Sequence, residues 1–166
     1  MLLQDFTYSN HEVAKRTQAC QDVTISNSPP KPKSAAVSKH MSGIRTKRTG
    51  VEQRARKVLR GERVKFKGNV KSLPGSPDLV IPELGLAIFV NGCFWHGCPR
   101  CYTAPKHNRA WWNKKISANR RRDRRVTRKL RNQGFSVIRL WEHDSDKRMQ
   151  VRVRGALKRQ YAGRRS

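Results

Sequence analysis

Apolar positions along the chain switch between two periods, and each switch marks an element. From Thr49-Gly50-Val51-Glu52, which fits a capping box, Val51, Ala55, Val58 and Leu59 recur at helical spacing. Arg63 to Lys67 alternates basic and apolar residues like a half-exposed strand. Leu73-Pro74-Gly75-Ser76-Pro77 reads as a turn, and Asp78 opens a short strand, Leu79-Val80-Ile81, that Pro82 stops. Leu86 to Val90 is a continuous apolar run of strand formers, as expected of a central strand. A long helix is predicted from about Arg109 to Asn132, ending at Gly134 as a left-handed cap, and Phe135 to Trp141 follows as a buried strand. The last twenty residues are basic and weakly helical. This order predicts an α/β fold, a mixed central sheet flanked by helices.

The long helix carries an anomaly. Trp112, Ile116, Asn119, Asp123, Val126 and Leu130 follow one another in alternating steps of four and three residues, which places them on one stripe. Asn119 and Asp123 therefore sit on the face that packs inward, and Asp123 is the sole carboxylate between Lys114 and Arg131. A buried carboxylate is costly without a partner. Either a neighbouring arginine caps it, or it points into a catalytic cleft and orients a histidine. Arg120, Arg121 and Arg124 point mostly elsewhere, where arginines can meet phosphates.

Composition narrows the partner. With 38 Lys and Arg against 11 Asp and Glu, the 166-residue chain has a formal net charge of +27. A polyanion explains that excess, since each cation near a phosphate releases a condensed counterion. The length suits one compact domain with tails: a disordered basic arm over 1–38, a domain over 39–146 and a basic tail over 147–166. The longest apolar run, Leu84 to Val90, is too short for a membrane span, and the N-terminus lacks a secretory pattern. A cytoplasmic monomer is expected. Its thiols stay reduced there, so clustered cysteines point to a metal rather than to disulfides.

Cys93, Cys98 and Cys101 form such a cluster, C-x4-C-x2-C, with thiolates suited to Zn²⁺. Candidates for a fourth ligand are His143, His107, His96 and Cys20. His143 is preferred because it lies just past a strand able to run beside Leu86–Val90. Four protein ligands leave no open position, so this zinc is structural. Asp78, at the mouth of a strand, suits a hard-metal site where Mg²⁺ could activate water. Glu52 is either the capping-box acid or a group facing a site beside the sheet. Phe94, Trp95 and Trp112 are balanced between core and base stacking, whereas Trp111 and Trp141 read as core.

Several stretches resemble the very short patch repair (Vsr) endonucleases. They are Met41-Ser42-Gly43-Ile44-Arg45, Leu73 to Val80, Ile88-Phe89-Val90-Asn91-Gly92-Cys93-Phe94-Trp95-His96-Gly97-Cys98, Trp112 to Ile116 with Asn119 and Asp123, and Gly134 to Ile138 running on to Trp141-Glu142. The resemblance spans about residues 40 to 145. It implies a restriction-endonuclease-like core and a Mg²⁺-dependent nick of one strand, 5′ to the thymine of a T·G mismatch in double-stranded DNA. Mismatch-repair proteins become candidate partners. It also implies that Asp78 and the Val90 carbonyl hold Mg²⁺, and that His96 manages a proton under the guidance of Asp123. Glu52 completes the acids, and Phe94, Trp95 and Trp112 wedge beside the mismatch. This chain departs from the family pattern at Asn91, where a histidine is usual, which alters a proton-transfer or phosphate contact and leaves Asn91 as a candidate DNA contact, and at His143, where a cysteine is usual. A double-strand cutter and a non-catalytic zinc-stabilised DNA-binding module are the rival readings. Were His96 the fourth zinc ligand, its catalytic role would be lost.

Overall fold

The computed structural model describes Lys31 and residues 50–164. The expected arm (apart from Lys31), the Met41–Arg45 stretch, Thr49 and Cys20 lie outside the described residues. Helix α1 (Gly50–Gly61) precedes the short strands β1 (Lys67–Gly68) and β2 (Leu79–Ile81). A 3-10 turn at Pro82–Leu84 leads into β3 (Leu86–Asn91). Helix α2 (Arg109–Asn132), β4 (Ser136–Trp141) and helix α3 (Asp146–Ala162) complete the chain.

The four strands form one mixed sheet in the order β1-β2-β3-β4. β1 with β2 and β2 with β3 are antiparallel, and β3 with β4 is parallel, with Val90 opposite Leu140 and Asn91 opposite Trp141. β3 is paired on both sides, as its unbroken apolar run requires. Strand alternation then divides its side chains between two layers. Leu86 and Ile88 join Leu79, Ile81 and Leu140 against Ala55, Val58 and Leu59 of α1 and Met149, Val153, Ala156 and Leu157 of α3. Ala87 and Phe89 face the other way, toward Leu130 and Val126 of α2. The stripe predicted on α2 is the face that packs, with Ile116 and Leu130 buried and Asn119, Asp123 and Val126 half-buried. Gly134, at φ 82°, turns the chain from α2 toward β4 in the left-handed conformation expected there.

Two expectations need correction. The half-exposed strand predicted over Arg63 to Lys67 shrinks to Lys67–Gly68, because Arg63 adopts φ 55° and breaks the extension. The basic tail predicted from 147 is instead the body of α3, whose Met149 and Val153 are fully buried. Ser145 caps it, accepting a hydrogen bond from the Arg148 amide. Met149→Ala is expected to cost about 2–5 kcal/mol, through lost transfer energy and the cavity left behind. A urea midpoint unchanged from wild type would mean that α3 is peripheral.

Candidate active site and metal centre

The sheet topology brings one end of each of three strands together. β2 runs against β3, so the residue that opens β2 lies beside the residues that close β3. Asp78 is there, its carboxylate accepting the Val90 N–H at 2.8 Å, while its own carbonyl accepts the Asn69 N–H at 2.9 Å. Burial pushes the Asp78 carboxyl above the ordinary range; the Val90 hydrogen bond works against this, and the charge of Glu52 adds to it. Glu52 is buried near the start of α1, so two acids share a partly desolvated corner. Such a pair suits a divalent cation, which would relieve both their desolvation and their repulsion. Asp78 and the neighbouring Val90 carbonyl could hold it as hard oxygen donors.

His96 stands on the loop after β3, with Nδ1 2.6 Å from Asp123 Oδ2. Burial raises Asp123, but the His96 hydrogen bond, and then the charges of His96, Arg139 and Arg122, pull it down further, and the net shift is downward. An ionised Asp123 can only accept, so Nδ1 carries a proton, and whenever the ring is neutral the lone pair falls on Nε2. The charge of His96 in turn lowers Asp78, which ties the histidine to the acid corner. Asp78, Glu52, His96 and Asp123 are thus drawn from four separate parts of the sequence into one cluster.

The loop carrying His96 is fixed to α2. Asn119 donates its side-chain N–H to the Trp95 carbonyl at 2.8 Å, and Arg120 donates to the Gly97 carbonyl. Gly97, at φ 57°, lets the loop touch the helix: a Cβ there would stand 2.6 Å from an Ile116 methyl. The Arg120 guanidinium also lies 5.8 Å from the centre of the Tyr102 ring. It is therefore engaged within the protein although the residue is exposed, as Arg121 and Arg124 also are. Phe94, Trp95 and Trp112 form one aromatic cluster, with centroids 5.0 to 5.9 Å apart. Trp111 packs edge-on against Trp112 at 4.8 Å, and both Trp111 and Trp141, expected in the core, are only half-buried.

Cys93, Cys98, Cys101 and His143 converge behind this loop, their ligand atoms all within 4.8 Å of one another. The three sulfurs lie 3.2 to 3.5 Å from His143 Nδ1. Donors bound tetrahedrally to zinc stand roughly 3.5–3.8 Å apart, so the set is close to a closed zinc cage. The thiols crowd one another. Cys101 is pushed up to about 12, first by its hydrogen bond to Cys98, because the sulfurs cannot all ionise side by side. His143 turns Nε2 toward buried Asp144, 3.6 Å from Oδ1, so the carboxylate can orient the ring from outside. His96 is paired to Asp123 and stands apart from this set.

Sequence reasoning passed over Arg139, Asp144, Glu142 and Arg54. Arg139 interrupts an apolar strand, and that interruption was the available signal. Its guanidinium bonds the Asp123 carbonyl at 3.0 Å, Thr127 Oγ1 at 3.1 Å and Asn91 Oδ1 at 3.3 Å. The buried Asn91 side chain thus accepts from a cation within the protein. Glu142 accepts the Cys93 N–H at 3.0 Å. Arg54 of α1 pairs with Asp146 at 2.6 Å and donates to the Glu142 and Asp144 carbonyls, clasping the segment that carries His143.

A family model described as DNA mismatch endonuclease Vsr matches residues 31–103. The type II nicking enzyme V.XorIIP of Xanthomonas oryzae pv. oryzae is 40% identical over 104 residues, 61% of this chain and 76% of that protein. The DNA mismatch endonuclease Vsr of Escherichia coli is 39% identical over 110 residues, 65% of this chain and 70% of that protein. The chain belongs to the Vsr family of DNA endonucleases. A third relative, the type II nicking enzyme V.NmeAIP of Neisseria meningitidis, is 36% identical over 104 residues, 61% of this chain and 74% of that protein. None of the helices described here is long and apolar enough to cross a membrane.

Proposed function

We propose that this Vsr-family endonuclease nicks one strand of double-stranded DNA, 5′ to the thymine of a T·G mismatch, on a restriction-endonuclease-like core. The observation carrying the proposal is the 2.6 Å bond between His96 and Asp123 beside the Asp78–Glu52 corner. A module that only bound DNA would have no use for a desolvated acid pair next to an oriented imidazole.

Asp78 and the Val90 carbonyl would hold Mg²⁺, and a bound Mg²⁺ supplies charge neutralisation at the phosphate and a more acidic water. His96 Nε2, its lone pair exposed by the Asp123 bond, accepts the proton of the attacking water. Asp123 keeps the ring in that tautomer and stabilises the imidazolium that forms. Arg139 holds Asp123 from behind through its carbonyl. Phe94, Trp95 and Trp112 would enter the stack beside the mismatch and open it, and Arg121 and Arg124 would meet phosphates. Cys93, Cys98, Cys101 and His143 would hold a structural Zn²⁺. The catalytic domain is assigned to residues from about 39 onward, with α3 included.

Strand-resolved cleavage of T·G and matched duplexes, with and without Mg²⁺, tests this. One nick, on the thymine strand of the mismatched duplex alone and only with Mg²⁺, is the expected pattern. Equal cutting of both strands of a matched duplex would make the protein a restriction-type nuclease. Asp123→Asn, which can no longer fix the tautomer, should lower kcat by about 10²–10⁴-fold with little change in KM.

A further inference from the structure

Beside the catalytic corner, between α1 and β1, a cleft is lined by Gln53, Arg56, Arg60, Gly68 and Asn69. Arg56 and Arg60 are one turn apart on α1, where like charges repel. Neither has a carboxylate partner among the described residues, whereas Arg54 on the same helix is paired with Asp146. The Arg56 guanidinium lies over Gly68: a Cβ there would stand 2.5 and 2.6 Å from its two terminal nitrogens and push the arginine's flexible end aside. Gln53 and Asn69 add neutral hydrogen-bonding side chains. Two guanidinium groups, two amides and no acid make a receptor for an anion, and guanidinium matches phosphate geometry best.

The position of the cleft identifies the anion. Asn69 is hydrogen-bonded to Asp78 through the backbone, and Gln53 follows Glu52, so the cleft begins at the acid corner. Arg56 and Arg60 lie four and eight residues past Glu52, roughly 6 and 12 Å along the helix axis. A DNA strand carries one phosphate per roughly 3.4 Å of axis. We infer that this cleft binds a backbone phosphate of the DNA a few nucleotides away from the one that is cut. The inference rests on the reading of Asp78 as the cleavage site. It adds a contact on the opposite side of the acid corner from α2.

A methylphosphonate scan tests it, with single neutral linkages placed one at a time through a T·G duplex and binding measured without divalent metal. Wild type should lose about tenfold in affinity at one linkage, two to four nucleotides from the nick. Arg56→Gln and Arg60→Gln should each weaken binding to the unmodified duplex by a similar factor and be indifferent to that same linkage. Their log Kd against log salt slopes should fall by about 0.9, and KM should rise with kcat unchanged. Arg159→Gln, beyond the other end of β4, is the charge control. If Arg56 and Arg60 variants behave like Arg159→Gln while wild type nicks normally, the cleft is overturned and the catalytic reading stands. If wild type neither binds nor nicks the duplex, the catalytic reading fails and takes the cleft with it.

Discussion

Asp78→Ala is expected to reduce nicking at least about 10³-fold while leaving duplex affinity within about threefold. The carboxylate sits where β2 begins, beside the end of β3, and the Val90 N–H pins one oxygen at 2.8 Å. The other oxygen remains for a cation. Removing the carboxylate deletes the side-chain ligand without touching the arginines or aromatics that would hold DNA. The pH profile should carry the same signature. Burial and the Glu52 charge raise the Asp78 carboxyl of the metal-free protein, so the acid limb of metal uptake, and with it of nicking, falls at higher pH than for an ordinary aspartate. Stability moves in the opposite sense to activity. A carboxyl raised in the folded state penalises folding once the pH exceeds its folded value, and the penalty vanishes below the unfolded value. Asp78→Asn should therefore melt higher than wild type at neutral pH without Mg²⁺, and no longer nick. An alanine variant that nicks at the wild-type rate would remove Asp78 from the reaction.

What the chain announced in advance was mostly periodic. Leu86–Val90 declared a strand paired on both sides, and the stripe from Trp112 to Leu130 declared which face of α2 packs and that Asp123 lay on it. The spacing of Cys93, Cys98 and Cys101 announced a ligand set, and the strand before His143 suggested how the fourth member would arrive. The omissions have a common cause: a charge concealed the pattern. In α3, Met149, Val153, Ala156 and Leu157 make a helical apolar face, but basic residues and exposed Val151 interleave with it, so it read as a tail. Arg139 sits in a strand whose neighbours are apolar, and only the approach of α2 over β4 gives it Asp123, Thr127 and Asn91 to bind. Arg54 and Asp144 were equally illegible, because their partners are distant in sequence and local periodicity says nothing of them. Asn91, expected beforehand as a DNA contact, is instead buried: its carbonyl oxygen accepts from Arg139, a bond that a protonated imidazole there could not make.

Stripping the metal from Cys93, Cys98, Cys101 and His143, with Mg²⁺ kept in excess, is expected to abolish nicking and lower the melting temperature together. The reason lies in where the ligands sit. Cys93 and Cys98 bracket Phe94, Trp95 and His96, so one ion closes the loop that carries both the base and the aromatic wedge. Besides its contacts with α2 and the Cys93 N–H bond to Glu142, that loop has a few turn hydrogen bonds, such as Cys98 N–H to the Cys93 carbonyl at 2.8 Å. Without a cation the sulfurs compete for protons, with Cys98 lowered, after burial is outweighed by its amide and thiol bonds, and Cys101 pushed up to about 12. The cluster then loses the force that folds it, since metal-binding energy at such a site is folding energy. Cys98→Ser should be the more damaging single change, because its sulfur is buried, and Cys101→Ser the milder, because its side chain is exposed. Both should lower zinc content, measured by metal analysis. Activity should fall by about 10²-fold or more through displacement of His96, and returning Zn²⁺ to the stripped wild type should restore it. A metal-free protein that melts and nicks like the loaded one would show that the hydrogen bonds between the loop and Asn119, Arg120 and Asp123 hold it unaided, and that the four-ligand cage contributes nothing to the reaction.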